Sequence, residues 1–189
     1  MNQKSIIVLT GFMGSGKSAV GKKLAKRLGW KFRDLDQAIE DREGVPIQEI
    51  FRTQGESVFR QLEHETLQQM LVLDRLVLSL GGGALQLEPS RKLIQERAIM
   101  VYLKVPEDIL LERLKRDTRR PLLRDGNGRL LDDPELRIRI RTLLSEREPA
   151  YETADVAVTV RGNWPVSQTA NETLTLLRKY APAAIAENS

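Results

Sequence analysis

The sequence predicts a three-layer α/β sandwich built on a five-stranded parallel sheet. Five short apolar runs alternate with stretches of helical periodicity, a pattern typical of repeated strand–helix–strand units. A glycine-rich loop carrying a lysine follows the first apolar run directly. The 189 residues are 41% hydrophobic and 30% charged, which suits one globular domain with a well-covered core. We therefore expect a single domain spanning residues 1–189.

The apolar runs are predicted as strands at residues 5–10, 30–33, 76–80, 98–103 and 156–160. The third run is almost continuously apolar, as expected for a strand that is buried on both faces of a parallel sheet. Helices are predicted around residues 20–28, 47–51, 58–71, 89–97, 106–114, 136–144 and 166–177. Residues 181–189 are expected to form a frayed tail.

The first strand leads into Gly11-Phe12-Met13-Gly14-Ser15-Gly16-Lys17-Ser18, and a helical pattern follows. This is the strand–loop–helix setting of the phosphate-binding motif GxxxxGK[ST]. Glycines let successive N–H groups point into one concavity, and the helix N-terminus adds the positive end of its dipole. Lys17 can reach the terminal phosphates, and the Ser18 hydroxyl can ligate Mg²⁺. We predict a P-loop NTPase fold of the nucleoside monophosphate kinase type that binds a nucleoside triphosphate.

An acidic pair, Asp34 and Asp36, follows the second predicted strand. Ligands of open parallel sheets bind beyond the carboxyl ends of the strands, so this pair is expected near the phosphate loop. In an extended segment both side chains point the same way, one toward a metal and one toward an acceptor hydroxyl. The alternative is that Asp36 caps the following helix, with Glu40 near its third position.

Residues 36–71 are longer than a minimal crossover and are predicted to form the acceptor-binding insert. Breaks at residues 44–46 and at Gly55 divide this insert. Arg60 and Glu63 stand three residues apart on its longer helix. They form either a surface ion pair or a planar fork for a substrate carboxylate that Glu63 orients.

The third predicted strand ends in Gly81-Gly82-Gly83. Many P-loop enzymes carry a metal-associated aspartate at this point. Glycines instead permit close approach of the backbone to a ligand, and the metal role then passes to Asp34. A flexible loop is the alternative.

Farther along, residues 117–134 form a polar, glycine-containing stretch between two helices and are predicted to be a mobile lid.

The composition also excludes several kinds of chemistry. The chain has no cysteine, which excludes disulfides and thiol nucleophiles. Its single histidine, His64, is expected to be solvated and to take no part in acid–base chemistry. No apolar run reaches 18 residues, and the first strand begins too early to leave room for a signal peptide. We expect a cytoplasmic protein that does not associate with membranes.

The net charge of +4 is modest, but arginines are concentrated in one third of the chain. They are Arg113, Arg116, Arg119, Arg120, Arg124, Arg129, Arg137, Arg139, Arg141 and Arg147. Acidic residues are interspersed among them, and no aromatic residues alternate with them to stack on bases. This pattern favours recognition of polyphosphate and carboxylate, with several arginines on solvated helix faces, over binding of nucleic acid.

Together these motifs resemble the shikimate kinase family. The matching segments are residues 11–18, 34–36, 59–63, 81–83, 120–123 and 146–151, in the order of the family. The phosphate loop alone is common to many kinases, whereas its combination with the arginine helix, the triple glycine and the Arg-Pro-Leu-Leu lid is specific. The resemblance implies that ATP and shikimate react to give ADP and shikimate 3-phosphate.

The resemblance also implies roles for individual residues. The ATP phosphates lie on Gly14, Ser15, Gly16, Lys17, Ser18 and Ala19. Mg²⁺ is held by Ser18 and, through water, by Asp34. Asp36 binds the acceptor hydroxyl and acts as the base, and shikimate is bound by Arg60, Gly82 and Arg147. Arg120 closes from the lid onto the phosphates and completes the catalytic set of Lys17, Asp36 and Arg120, while Arg113 lies near the nucleotide.

Two segments depart from the family pattern. The lid carries a longer insert at residues 125–133, and residues 161–163 match the adenine-contacting segment poorly. Two alternatives remain open: another small-molecule kinase such as gluconate kinase, and a nucleotide-switched binding module without turnover. We expect a monomer whose partners are ATP and shikimate.

Overall fold

Helices and strands alternate along the chain, which a computed structural model describes for residues 4–115, 129, 131–162 and 164–185. The elements are β1 (Ile6–Thr10), α1 (Lys17–Leu28), β2 (Lys31–Asp34), α2 (Leu35–Glu43), α3 (Ile47–Met70), β3 (Leu76–Ser79), α4 (Glu88–Arg97), β4 (Ile99–Lys104), α5 (Glu107–Leu114), α6 (Asp133–Tyr151), β5 (Val156–Thr159), α7 (Val166–Tyr180) and α8 (Pro182–Ile185).

The five strands form one parallel sheet in the order β2-β3-β1-β4-β5. β1 is central: Ile7 pairs with Val77 of β3 on one side and with Ile99 of β4 on the other. All five residues of β1 are buried, as expected for a strand covered on both faces. The predicted α/β fold with a five-stranded parallel sheet is confirmed.

Two hydrophobic clusters occupy the two faces of this sheet. Successive side chains of a strand point to opposite faces, so Val8 joins one cluster and Ile7 the other. The first cluster includes buried residues of α2, α3, α4, α5 and α6, and the second includes those of α1, α7 and α8. The sheet with a helical layer on each side is the predicted three-layer sandwich.

The junction of β2 and α2 differs from the prediction at the acidic pair. Asp34 is the last residue of β2 and the N-cap of α2, with extended backbone angles of φ −115° and ψ 126°. Asp36 lies in the first helical turn, where a carboxylate is stabilised by the helix dipole. The extended geometry expected for both aspartates is therefore wrong, and so is the alternative in which Asp36 caps the helix.

Helix α3 is interrupted where the sequence predicts a break. Gly55 has φ 84° and ψ 173°, which lies outside the helical region.

Helix α6 begins with a reciprocal capping box between Asp132 and Glu135 and continues through Pro149 to Tyr151. Much of the predicted lid, including Arg120, lies outside the described residues, and the end of its range at residues 133–134 belongs to α6.

Two expectations of solvent exposure, one for the tail at residues 181–189 and one for His64, are wrong for the residues that the structure describes. Residues 182–185 form α8, and Ile185 is only 3% exposed because it packs into the second cluster. His64 is partly buried: its Nδ1 lies 2.8 Å from Ser90 Oγ, and its Nε2 lies 3.1 Å from Gln68 Nε2. Among the described residues, none of the helices has the length and apolar character needed to cross a membrane.

Candidate active site

The phosphate loop, residues 11–18, connects β1 to the N-terminus of α1. Gly14 and Gly16 adopt left-handed angles, with φ of 77° and 91°. The Lys17 ammonium is largely buried and donates to the carbonyls of Gly11 and Phe12 at 2.8 and 3.0 Å. The predicted strand, glycine loop and helix are therefore in place, and the loop itself holds the lysine along its inner side.

Three oxygen-bearing side chains meet next to this loop. Ser18 Oγ donates to Asp34 Oδ2 at 2.5 Å and lies 3.3 Å from Ser79 Oγ. The parallel register explains the meeting, since Asp34 of β2 pairs with Ser79 of β3 at the carboxyl ends of both strands. Sequence reasoning missed Ser79, whose position at the end of a buried strand was the available signal.

This set of oxygen donors fits the chemistry of Mg²⁺, which prefers oxygen ligands and usually takes one or two carboxylates together with substrate phosphates. Among the described residues, no group of three or more histidine, cysteine, aspartate or glutamate side chains is arranged to hold a metal by protein ligands alone. A magnesium ion at Ser18 and Asp34 therefore depends on phosphate oxygens as well.

A cleft of about 480 Å³ opens over the phosphate loop. We call it the phosphate cleft; its lining comprises Gly14, Gly16, Lys17, Ser18, Ala19, Asp34, Ser79 and Leu80 together with four residues that it shares with a second cavity. This acceptor cavity, of about 140 Å³, is also lined by Ile47, Phe59, Arg60, Glu63, Gly83 and Arg147. The four shared residues are Met13, Asp36, Gly81 and Gly82.

The two cavities therefore bring together most of the predicted site residues, with Asp36 at their boundary. The exceptions are Ser15, which is buried within the loop, and Arg120, which is outside the described residues. Arg113 of α5 donates from Nη1 to the carbonyls of Gly14 and Ser15 at 3.2 and 3.4 Å. Its guanidinium is thus beside the phosphate loop, on the side predicted to face the nucleotide.

Arg60 and Glu63 form an ion pair at the wall of the acceptor cavity. Arg60 Nη1 donates to Glu63 Oε2 at 2.7 Å, and the Glu63 side chain is 3% exposed. Burial raises the pKa of Glu63, and the nearby Arg60 charge lowers it only in part. Burial alone would lower the pKa of Arg60, but charge attraction and hydrogen bonds to Glu63 and Glu56 together outweigh it, and the pKa is raised. The surface-pair alternative is wrong, because the carboxylate of this pair is buried.

The glycine segment, residues 81–83, lies against three charged side chains. A methyl group on Gly81 would overlap the Asp36 carboxylate. On Gly83 it would lie 2.8 Å from Arg60 Nη2, and on Gly82 it would lie 3.3 Å from Arg147 Nη1. A side chain at Gly81 or Gly83 would displace these charged groups, so the glycines leave room for them, and the flexible-loop alternative does not explain the segment.

Helix α6 also contributes to the wall of the acceptor cavity, through Arg147. Arg147 and Tyr151 are one helical turn apart and face the glycine segment. The Tyr151 hydroxyl donates to the Gly82 carbonyl at 2.5 Å, and its ring lies 5.3 Å from the Tyr102 ring. Sequence reasoning assigned no role to Tyr151, although its spacing of four residues from Arg147 was a visible signal.

The parallel sheet, the phosphate loop and the arginine-lined cavity beside it define a P-loop phosphotransferase with a small anionic acceptor. Comparison with known proteins identifies the family more closely. The family model described as shikimate kinase matches residues 13–178.

Individual relatives agree with this match. A shikimate kinase from Chlorobium luteolum is 49% identical over 156 residues, which cover 82% of this chain and 77% of that protein. The structure of a shikimate kinase from Acinetobacter baumannii in complex with shikimate superposes with a TM-score of 0.81, at 37% identity over 93% of both chains. The chain belongs to the shikimate kinase family, as its motifs predicted.

The gluconate kinase alternative receives less support. A gluconokinase from Sinorhizobium meliloti has a TM-score of 0.58 with this chain and is 22% identical to it. A likeness at that level of identity establishes a common fold and does not extend to the acceptor. Gluconate therefore serves as the control acceptor when the activity is tested.

Proposed function

We propose that this chain transfers the γ-phosphoryl group of ATP to the 3-hydroxyl of shikimate, giving ADP and shikimate 3-phosphate. The observation that carries the proposal is the position of Asp36, which lines both the phosphate cleft and the acceptor cavity. A hydroxyl bound against this carboxylate faces the end of a triphosphate held on the phosphate loop. Membership of the shikimate kinase family supports the same reaction.

On the phosphate side, residues 14–19 bind the ATP phosphates through backbone N–H groups and the ammonium of Lys17. Ser18 and Asp34 would hold Mg²⁺, which would supply positive charge to neutralise the phosphates. Phosphoryl transfer requires positioning and charge stabilisation more than covalent chemistry, and Lys17 contributes to both.

On the acceptor side, Arg60 and Arg147, which both line the cavity, bind the shikimate carboxylate. Arg60 is held by the buried Glu63, which orients its planar fork toward the cavity. Gly82 contributes backbone contacts, since the absence of a side chain lets the ligand approach closely. Asp36 binds the acceptor hydroxyl and takes its proton as the oxygen attacks phosphorus.

Arg120 completes the proposed catalytic set by closing onto the phosphates from the lid. An arginine supplied in this way contributes on the order of 10³-fold or more to phosphoryl transfer. The monomeric state, the cytoplasmic location and the absence of a nucleic-acid partner remain predictions from the sequence.

The reaction is tested by following ADP release with Mg-ATP and shikimate in a coupled assay. Turnover that depends on shikimate, and that is absent with gluconate or without an acceptor, supports the proposal. Equal turnover with gluconate would reassign the acceptor. ATP binding without turnover on either acceptor would favour a nucleotide-switched binding module.

A further inference from the structure

One tyrosine connects the end of α6 to the glycine segment. Tyr151 is 1% exposed, and its hydroxyl donates to the Gly82 carbonyl at 2.5 Å. Arg147, one turn earlier on the same helix, lies beside the same backbone: a methyl group built on Gly82 would be 3.3 Å from Arg147 Nη1 and 3.9 Å from the Tyr151 hydroxyl oxygen. The Tyr151 hydroxyl therefore bonds to the Gly82 backbone at the point where the Arg147 guanidinium also approaches it.

The glycine segment needs such an anchor from outside. Glycine loses more conformational freedom on folding than any other residue, and three in succession have no side chains to restrict them. The segment's own turn bonds run from Ala84 N to the Gly81 carbonyl at 3.2 Å and from Gln86 N to the Gly83 carbonyl at 3.0 Å. Because the peptide unit is planar, the bond to the Gly82 carbonyl fixes the plane between residues 82 and 83.

Tyr151 is itself well fixed. Its ring packs against Tyr102 of β4, with 5.3 Å between the centroids and 37° between the planes. Burial raises the pKa of Tyr151 to about 12, only partly opposed by Arg147. The hydroxyl therefore keeps its hydrogen near neutral pH and remains able to donate.

We propose that Tyr151 is a positioning residue for the acceptor cavity. Its hydroxyl holds the Gly82 backbone in place beside the Arg147 guanidinium, so that shikimate meets a wall already formed. This inference rests on the proposed function, which assigns both residues to shikimate binding. A site that is fixed in advance loses less conformational freedom when the ligand binds, and its affinity is higher for that reason.

The test compares Tyr151→Phe with Tyr102→Phe. Each substitution removes one hydroxyl from the same packed ring pair, but the Tyr102 hydroxyl bonds to Glu148, at 3.3 Å, and not to the glycine segment. In Tyr151→Phe the shikimate KM is expected to rise on the order of 10-fold, the effect of a lost buried hydrogen bond and an unpaired carbonyl. In that variant kcat and the ATP KM should stay within about twofold, and Tyr102→Phe should leave the shikimate KM unchanged.

Shikimate turnover by the wild-type protein distinguishes failure of this inference from failure of the proposed function. No shikimate turnover by wild type overturns the function, and the inference with it. With an active wild type, a shikimate KM within about twofold in Tyr151→Phe overturns the inference alone. An equal rise in the ATP KM would also overturn it, because that result indicates general loosening.

Amide hydrogen exchange gives a second readout that does not require turnover. In a peptide covering residues 80–86, exchange is expected to be faster in Tyr151→Phe than in wild type and unchanged in Tyr102→Phe. Equal exchange in all three proteins would show that the hydroxyl does not hold the segment, and would overturn the proposal.

Discussion

Asp36 lines both the phosphate cleft and the acceptor cavity. It lies two residues after Asp34, but α2 starts between them, so the two carboxylates face different parts of the site. Asp34 contacts Ser18 beside the phosphate loop, whereas Asp36 reaches the boundary of the acceptor cavity. The change from strand to helix thus places one carboxylate beside the phosphate loop and the other beside the acceptor cavity.

Asp36→Asn keeps the shape of the side chain and removes its basicity. We expect kcat to fall by about 10²- to 10⁴-fold, the usual contribution of a positioned base. ADP affinity, measured by isothermal titration, should change by less than about twofold, since the phosphate loop is intact. Asp41→Asn on the exposed side of α2 is the matched control and should retain full turnover. Near-normal turnover of Asp36→Asn would remove Asp36 from the base role.

The glycine segment allows two neighbouring substitutions with different expected effects. Gly81 and Gly83 have φ angles that alanine can adopt, so the added methyl acts through space alone. In Gly81→Ala it displaces the Asp36 carboxylate, and kcat is expected to fall on the order of 10- to 100-fold. In Gly83→Ala it displaces the Arg60 guanidinium, and the shikimate KM is expected to rise about 10-fold.

Steady-state kinetics with shikimate as the varied substrate checks both variants, and each is the control for the other. The same change in kcat and in KM for both would contradict the assignment of Asp36 to catalysis and of Arg60 to binding. Thermal unfolding measured in parallel distinguishes either effect from loss of the fold.

At the scale of the element, α3 depends on one unusual residue. Gly55 has φ 84° and ψ 173°, a region that side-chain-bearing residues rarely adopt, and a methyl group there meets no atom within 4 Å. The conformation itself therefore sets the cost of substitution. This bend separates the first turns of α3 from the turns that carry Phe59, Arg60 and Glu63.

We expect Gly55→Ala to lower the free energy of unfolding by about 1–3 kcal/mol through backbone strain. Gln54→Ala, on the same exposed stretch, is the control and should change it by less than about 0.5 kcal/mol. Urea unfolding measures both. A Gly55→Ala protein as stable as wild type would show that α3 straightens without penalty.

The accuracy of the sequence predictions follows the distance between interacting residues. The strands, the phosphate loop and the break at Gly55 depend on neighbours in sequence, and apolar runs and glycines indicate them directly. The start of α2 falls between two aspartates, and sequence patterns do not locate a helix boundary to within one residue. The bond from Tyr151 to Gly82 joins residues 69 positions apart. The docking of α8 depends on tertiary packing by a four-residue helix.

For the molecule as a whole, the sheet separates two hydrophobic clusters, and only one of them lies next to the acceptor cavity. The cluster that contains Phe59 and Tyr151 supports the acceptor cavity, and the cluster that contains Ile185 lies on the opposite face. Arg60 lies over the Phe59 ring at 5.2 Å, which links packing in the first cluster to the wall of the acceptor cavity. Substitutions in the second cluster should therefore lower stability alone, whereas substitutions in the first cluster should lower both stability and the affinity for shikimate.

We expect Ile185→Ala to lower the free energy of unfolding by about 2 kcal/mol, since it empties a buried site. The shikimate KM should not change. Phe59→Leu, on the other face, should destabilise the protein by about 1–2 kcal/mol and also raise that KM several-fold. Urea unfolding and steady-state kinetics on both variants test this. A raised shikimate KM in Ile185→Ala would contradict the separation.

The acceptor cavity takes its walls from distant parts of the chain, and this spacing imposes an order on protein synthesis. A nascent polypeptide that has left the ribosome as far as α5 already contains the phosphate loop, Asp36, Arg60 and the glycine segment. It still lacks Arg147 and Tyr151, which emerge with the end of α6. The growing chain therefore contains the phosphate loop before it contains all the residues that enclose the acceptor cavity.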